Sequence, residues 1–177
     1  DGPQKQLLKF NRVRVNFIRR HLLAQVGPSF TNSEQAMKSL SILDVGCGAG
    51  LLSESLGRLG TQAVTGIDPT PKCIELAQAH LELDCTGLNE IVKYENTTLE
   101  AKIEENEEKF DVVCCSEVIE HVNEQSKFLQ DCAKLVKPNG FLFMSTIAKT
   151  PEAYLSNIVL GEYVLGLLPK GTHEYEM

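Results

Sequence analysis

Two groups of residues in this chain have types and spacings suited to chemistry. The first is the run Ile42-Leu43-Asp44-Val45-Gly46-Cys47-Gly48-Ala49-Gly50, followed by a second acid, Asp68, behind the apolar run Ala63-Val64-Thr65-Gly66-Ile67. Glycines at alternate positions let a backbone turn tightly and let a ligand come close to it. A helix starting at Leu51 would add unpaired N–H groups at its N-terminus, suited to an anion or an acceptor-rich group. Two strand-end acids around such a turn suit a nucleoside, because the Asp68 carboxylate can accept from both ribose hydroxyls at once. The second group is Glu117, Glu120 and His121, whose i, i+3, i+4 spacing gives them one shared face on a helix. Two carboxylates and an imidazole there suit a divalent metal, Mg2+ or Zn2+. A solvated polar face with a hydrogen-bonded histidine fits the same spacing.

These residues need a frame that brings strand ends together. Apolar runs and amphipathic stretches alternate with the period of βαβ units, which predicts a doubly wound, mostly parallel α/β sheet with helices on both faces. An N-terminal helix is expected over 13–26, with Ile18 and Leu22 on one face, and then a polar connection over 28–39. Strands are expected at 42–45, 63–67, 91–95, 110–115 and 141–145. The helices between them are expected at 51–59, from Pro71 to about Glu82 with Thr70 as N-cap, and at 124–136. The acid-rich stretch 100–108 reads as a solvated helix or loop, and Lys137-Pro138-Asn139-Gly140 as the turn into the last strand. In such folds ligands bind at the C-terminal ends of the strands, where both chemical groups fall.

The bulk numbers exclude several classes. At 177 residues, 42% hydrophobic and 23% charged, the chain is a globular domain, read as a single one over 1–177. Its parts are an N-terminal helix and connection (11–40), a cofactor-binding core (41–150) and an apolar segment (151–177). A net charge of −7 argues against a nucleic-acid partner, which would need a broad basic face, although Arg12, Arg14, Arg19 and Arg20 form a local basic patch. The six cysteines include no C-x-x-C pair, so they read as buried reduced thiols rather than zinc ligands or disulfides. The chain opens on Asp1 rather than Met, which reads as a processed or excised piece. The apolar stretch 153–168 is too short to span a bilayer as a helix, and three readings fit it: a buried helix, a lid, or a helix at a membrane interface.

Two ligands fit the glycine turn. A dinucleotide fingerprint, G-x-G-x-x-G, would place a glycine at Leu51, so NAD or NADP is the rival. The G-x-G-x-G spacing, with an acid two positions ahead, instead resembles motif I of class I S-adenosylmethionine-dependent methyltransferases. That resemblance makes Asp44 a partner of the cofactor's methionine end. Three further runs, Ser116-Glu117-Val118-Ile119-Glu120-His121-Val122, Lys137-Pro138-Asn139-Gly140 and the 161–173 segment ending Pro169-Lys170-Gly171-Thr172-His173, narrow it. Together they are similar to the ubiquinone biosynthesis O-methyltransferase family, from about Asn11 to the last residue.

The resemblance implies a Rossmann-like class I methyltransferase fold and S-adenosylmethionine as cofactor. Arg14 matches the arginine that meets the cofactor carboxylate, Gly46 the cofactor-contacting glycine beside Gly48, Asp68 the ribose acid and Ser116 the adenosyl-side position. Glu117, Glu120 and His121 match the divalent-metal ligands, and the residue that performs catalysis is not identified. The implied acceptor is a catechol-like polyprenylated benzene, with membrane-surface contact through 153–168 and membership of a multi-enzyme complex. The implied location is the matrix face of the mitochondrial inner membrane, or the cytoplasmic membrane if the source is bacterial. The sequence departs from the family at Gln6-Leu7-Leu8, where a Pro-Leu-His run is usual, and at Ala148, where Asn is. The family also runs several dozen residues past the Pro169–His173 segment, so the final strands are expected to be missing and strand five to be an edge. Methylation of another small molecule and a non-catalytic subunit of a biosynthetic complex are the alternative readings.

Overall fold

The computed structural model describes residues 4–26, 33–105 and 109–146. Two helices come first, α1 (Gln4–Val26) and α2 (Ser33–Met37), and then β1 (Ser41–Val45), α3 (Leu51–Gly57), β2 (Ala63–Ile67) and α4 (Pro71–Glu82). β3 (Val92–Glu95), α5 (Leu99–Glu105), β4 (Phe110–Ser116), α6 (Gln125–Lys134) and β5 (Val136–Ser145) complete the order. The strands lie in the order β3-β2-β1-β4-β5, and every pairing is parallel. Because the order reverses between β1 and β4, their loops leave toward opposite faces and open a crevice at their C-terminal ends. The doubly wound parallel sheet is the one expected.

Alternation along β1 explains the layers. Ile42 packs with Ile18 and Leu22 of α1, Leu52 and Leu56 of α3 and Ile74 of α4. Leu43 and Val45 face the other way, onto Leu99 of α5 and Phe128 and Cys132 of α6. A strand with both faces covered reads as a continuous apolar run, which is why β1 and β2 stand out in the sequence. Each such side chain contributes about 1.5–3 kcal/mol when fully buried. Glu54, a buried acid on α3, is held by Arg58 at 3.0 Å and His80 of α4 at 2.6 Å, which ties the two helices together.

Several boundaries differ from expectation. α1 begins at Gln4, earlier than the apolar spacing indicated, and α3 stops at Gly57. Thr70 precedes α4, but its side chain makes no cap hydrogen bond; Asp68 Oδ1 instead accepts the Thr70 N–H at 2.8 Å. α6 ends at Lys134, and Val136 begins β5. The Lys137–Gly140 run is therefore an irregularity inside the ladder, between the pairs Phe110–Val136 and Val112–Phe141, with Asn139 at φ 65°. The 100–108 stretch is partly α5, which buries Leu99 and also Lys102, paired with Glu95. Residues 151–177, including the apolar segment 153–168, lie outside the described residues.

Candidate functional site

The turn after β1 is built by hydrogen bonds across the crevice. The Gly46 and Cys47 N–H groups donate to Ile67 O at 2.8 and 3.0 Å, which fixes the end of β1 against the end of β2. Asp68 then reaches back over the turn, and its Oδ2 accepts the Gly48 N–H at 3.0 Å. Asn96, just past β3, donates from Nδ2 to Asp68 O at 2.9 Å and holds this corner from the other side. Asp68 is thus fixed by two backbone donors, Gly48 and Thr70, and a carboxylate has lone pairs left for a ligand's hydroxyls.

Gly48 and Gly50 serve different needs. At Gly50, with φ 83°, an added Cβ would run into the Tyr94 ring, whose Cζ would lie at 2.6 Å, and the Tyr94 hydroxyl donates to Gly50 O at 3.2 Å. At Gly48, with φ 53°, a Cβ would meet nothing within 4 Å. The turn is therefore packed against the protein from below and open at Gly48, beside Asp68. A nucleoside fits there: backbone approach at Gly48, a fixed carboxylate next to it, and the first turn of α3 behind.

Asp44 sits differently from Asp68. It is buried to 1% exposure and its Oδ2 accepts the Ser53 hydroxyl at 2.6 Å, underneath the turn. Burial raises its carboxyl to about pH 6, against the opposing effects of the Ser53 hydrogen bond and the Arg14 charge. Burial and the charges of Asp44 and Asp68 push the Cys47 thiol well above its ordinary range, which makes it inert as a nucleophile. Ser53, Tyr94 and Asn96 were not singled out in the sequence. Their roles come from contacts between distant segments, which no local motif announces.

At the other side of the crevice the expected helical face is absent. β4 stays extended through Ser116, and the Glu117 N–H donates to Ser145 O of β5 at 2.9 Å, as a further rung of the ladder. Glu117 then takes φ 57°, and only a single 3-10 turn, Ile119–His121, follows. Glu117 therefore does not share a helical face with Glu120 and His121. Its Oε1 accepts Arg14 Nη2 at 3.1 Å and the Ser145 hydroxyl at 2.9 Å. Glu120 Oε2 accepts the Thr146 hydroxyl at 3.0 Å, and His121 is exposed. Among the described residues no three His, Cys, Asp or Glu side chains are grouped to hold a metal ion. In this arrangement the three residues do not fit a metal site. Ser116 lies at the end of β4, half-buried and opposite Ser145.

Arg14 joins the N-terminal helix to this crevice. α1 is anchored by Ile18 and Leu22, and by Asn11, whose Nδ2 donates to Leu51 O at 3.2 Å and Ser55 Oγ at 2.9 Å on α3. That docking carries the Arg14 guanidinium to Glu117, close enough for its charge to be felt at Asp44.

Comparison with known proteins agrees with this geometry. A family model described as a methyltransferase domain matches residues 14–174. The ubiquinone biosynthesis O-methyltransferase of Methylobacterium nodulans is 41% identical over 99% of this chain and 68% of its own length. The chain belongs to the ubiquinone biosynthesis O-methyltransferase family. The mitochondrial member from Rattus norvegicus is 44% identical over 99% of this chain and 50% of that protein, so the chain spans about half the length of the mammalian curated relatives it matches. Among solved structures, magnesium protoporphyrin IX methyltransferase from Synechocystis PCC 6803, with bound SAH, superposes with a TM-score of 0.62 at 25% identity. That match covers 93% of this chain and 65% of the other. The fold expected from the sequence, a class I methyltransferase sheet, is the one found.

Proposed function

We propose that this chain forms the cofactor-binding part of an S-adenosylmethionine-dependent O-methyltransferase that acts on a polyprenylated, catechol-like acceptor in ubiquinone biosynthesis. The carrying observation is the glycine turn left open at Gly48 with Asp68 fixed beside it, in a chain of this family. Asp68 accepts the ribose hydroxyls, and Gly46 and Gly48 bring the backbone close. Arg14 meets the methionine carboxylate by exchanging its bond to Glu117. Ser116 borders the adenosyl side, and Asp44 acts from beneath the turn, through Ser53 and its charge.

When bound, S-adenosylmethionine supplies a methyl group on a positively charged sulfur, which leaves that sulfur as a neutral thioether. The acceptor oxygen provides the electron pair for the new oxygen–methyl bond as the sulfur–methyl bond breaks, and a phenol with a pKa of ~10 first gives its proton to water. The chain's contribution is positioning, by the fixed Asp68 corner, and shielding of the sulfur from water at the end of the sheet.

The finer metal reading asks for a different arrangement. Mg2+ or Zn2+ at Glu117, Glu120 and His121 would require Glu117 to release Arg14 and Ser145, so no step of transfer is assigned to it. The relatives' names support a ubiquinone pathway and, for the mammalian members, a mitochondrial address. Peripheral membrane contact through 153–168 and membership of a multi-enzyme complex are carried by the resemblance. No helix among the described residues is long and apolar enough to cross a membrane.

Calorimetric titration with S-adenosylhomocysteine, with and without Mg2+ or Zn2+, tests these readings. Binding is expected without metal and should weaken roughly a hundredfold in Asp68→Ala, the cost of losing a charge-assisted pair of hydrogen bonds. Methyl transfer to short-tailed catechols would follow. NADH binding in place of S-adenosylhomocysteine would sink the cofactor assignment.

A further inference from the structure

Tyr94 is seated in a way that core packing alone does not require. In register, Asp44 of β1, Gly66 of β2 and Tyr94 of β3 stand side by side, on the sheet face that Ile42, Val64 and Val92 share. Strands lie about 4.8 Å apart, so a tyrosine ring crosses a neighbouring strand only where that strand offers no side chain. Gly66 supplies the gap: an added Cβ there would lie 2.8 Å from Tyr94 Cδ1 and 2.9 Å from Ser53 Oγ. Gly50 supplies a second gap at the hydroxyl end of the same ring. The buried ring thus runs from β3 over β2 to the turn that leaves β1. Burial, with the charge of Glu54, holds the Tyr94 phenol above its ordinary range, so the hydroxyl keeps its proton and donates to Gly50 O.

Gly50 is a junction between the turn and α3. Its carbonyl also accepts the Glu54 N–H at 2.9 Å, and its own N–H donates to Cys47 O at 2.9 Å. β3 meanwhile leads from Tyr94 to Asn96, which holds Asp68 O. One rigid ring therefore links the strand that braces Asp68 to the carbonyl that closes the glycine turn. We infer that Tyr94 is a positioning residue for nucleoside binding: its hydroxyl, bonded to Gly50, sets the separation between the glycine turn and Asp68. The groups whose spacing it controls are the Gly48 N–H and Asp68 Oδ2, 3.0 Å apart. A phenylalanine would fill the same seat, so packing explains the ring and not the hydroxyl. The ligand in this inference rests on the proposed function; the spacing within the protein does not.

Tyr94→Phe in the 177-residue chain keeps the ring and removes the bond. Without ligand, amide hydrogen exchange followed by NMR should quicken roughly fivefold at Gly48, Gly50 and Glu54 and stay unchanged at Leu43 and Val113 in the central strands. Affinity for S-adenosylhomocysteine, measured by calorimetry well below the unfolding transition of both chains, should fall roughly fivefold. In an Asp68→Ala background the same substitution should change affinity by less than about twofold, because the corner it positions is gone. A merely structural tyrosine would lower the unfolding temperature and leave both the affinity of the folded chain and its coupling to Asp68 unmoved. Unchanged exchange at Gly48 and Gly50, unchanged affinity, or equal losses with and without Asp68 each overturns the proposal. Faster exchange in Tyr94→Phe, with a parent chain that binds no S-adenosylhomocysteine, keeps Tyr94 as the brace of the turn and strikes the proposed function alone.

Discussion

Around β1 and β2 the polar groups that border the glycine turn are already engaged: Gly48 and Thr70 donate to Asp68, Ser53 to Asp44, and Gly46 to Ile67. At the ends of β4 and β5 the same census gives one ion pair on partly exposed side chains, two hydroxyl contacts, a left-handed glutamate and an exposed histidine. The first region fixes its geometry through the protein's own hydrogen bonds, as a preorganised binding site should. The second has options: Glu117 can keep Arg14 or surrender it. Under the proposed function, the contrast matches a constant nucleoside with the rigid corner and a variable acceptor with the part left with fewer constraints.

The largest expected effect breaks the rigid corner. Gly50→Ala sets a Cβ against the Tyr94 ring at a residue with φ 83°, so overpacking and left-handed strain act together. A loss of about 2–4 kcal/mol in urea unfolding is expected. Placing the substitution in a Tyr94→Phe background should recover only part of it, because the ring carbon Cζ would still lie at 2.6 Å. Full tolerance of Gly50→Ala would show that the corner is soft, and the contrast with the β4–β5 end would fail.

Asp44 gives the next effect, and it depends on pH. Its carboxyl titrates near pH 6 in the folded chain against an ordinary value of 3.8, because burial penalises the charge. The folded state therefore binds this proton more tightly than the unfolded state does. The group's contribution to stability falls as pH rises from about 4 to about 6 and is level above that, a swing on the order of 3 kcal/mol. Asp44→Asn keeps an oxygen for the Ser53 hydroxyl and removes the charge. The difference in unfolding free energy between variant and parent should grow in the variant's favour across that window. A difference independent of pH would show that Asp44 is not buried as a charged group at neutral pH.

What the sequence disclosed about these two regions follows the same division. β2 matches its expected range and β1 begins one residue early, because strands covered on both faces must be apolar throughout. The three alternating glycines and Asp68 were legible for a related reason: a tight turn after a buried strand admits few residue types. The supports were not legible. Ser53, Tyr94 and Asn96 act on residues 9, 44 and 28 positions away, and serine, tyrosine and asparagine carry no spacing that announces such partners. The Glu117 group misled for a local reason. An i, i+3, i+4 pattern assumes a helix, but the Glu117 N–H is taken by the strand ladder to Ser145, and the chain turns through a left-handed residue before any helix forms. The Lys137–Gly140 run misled similarly, since a turn signature also suits an irregularity within a strand.

The smallest expected effect tests the looser end. The Arg14–Glu117 pair spans 3.1 Å with side chains 22% and 35% exposed, so water screens it and its worth is about 0–1 kcal/mol. Glu117→Gln retains an oxygen for Ser145 and removes the charge, and the thermal unfolding curve should move little. Glu117→Gly loses the Ser145 hydrogen bond as well as the Arg14 pair but relieves a φ of 57°, worth about 1 kcal/mol at a non-glycine residue. The two effects offset, so it should match Glu117→Gln within about 1 kcal/mol. If Glu117→Gly is instead less stable by more than about 2 kcal/mol, the side chain is a structural link between α1, β4 and β5. Arg14 would then be fixed in advance rather than free to exchange partners, and the two ends of the crevice would be equally rigid.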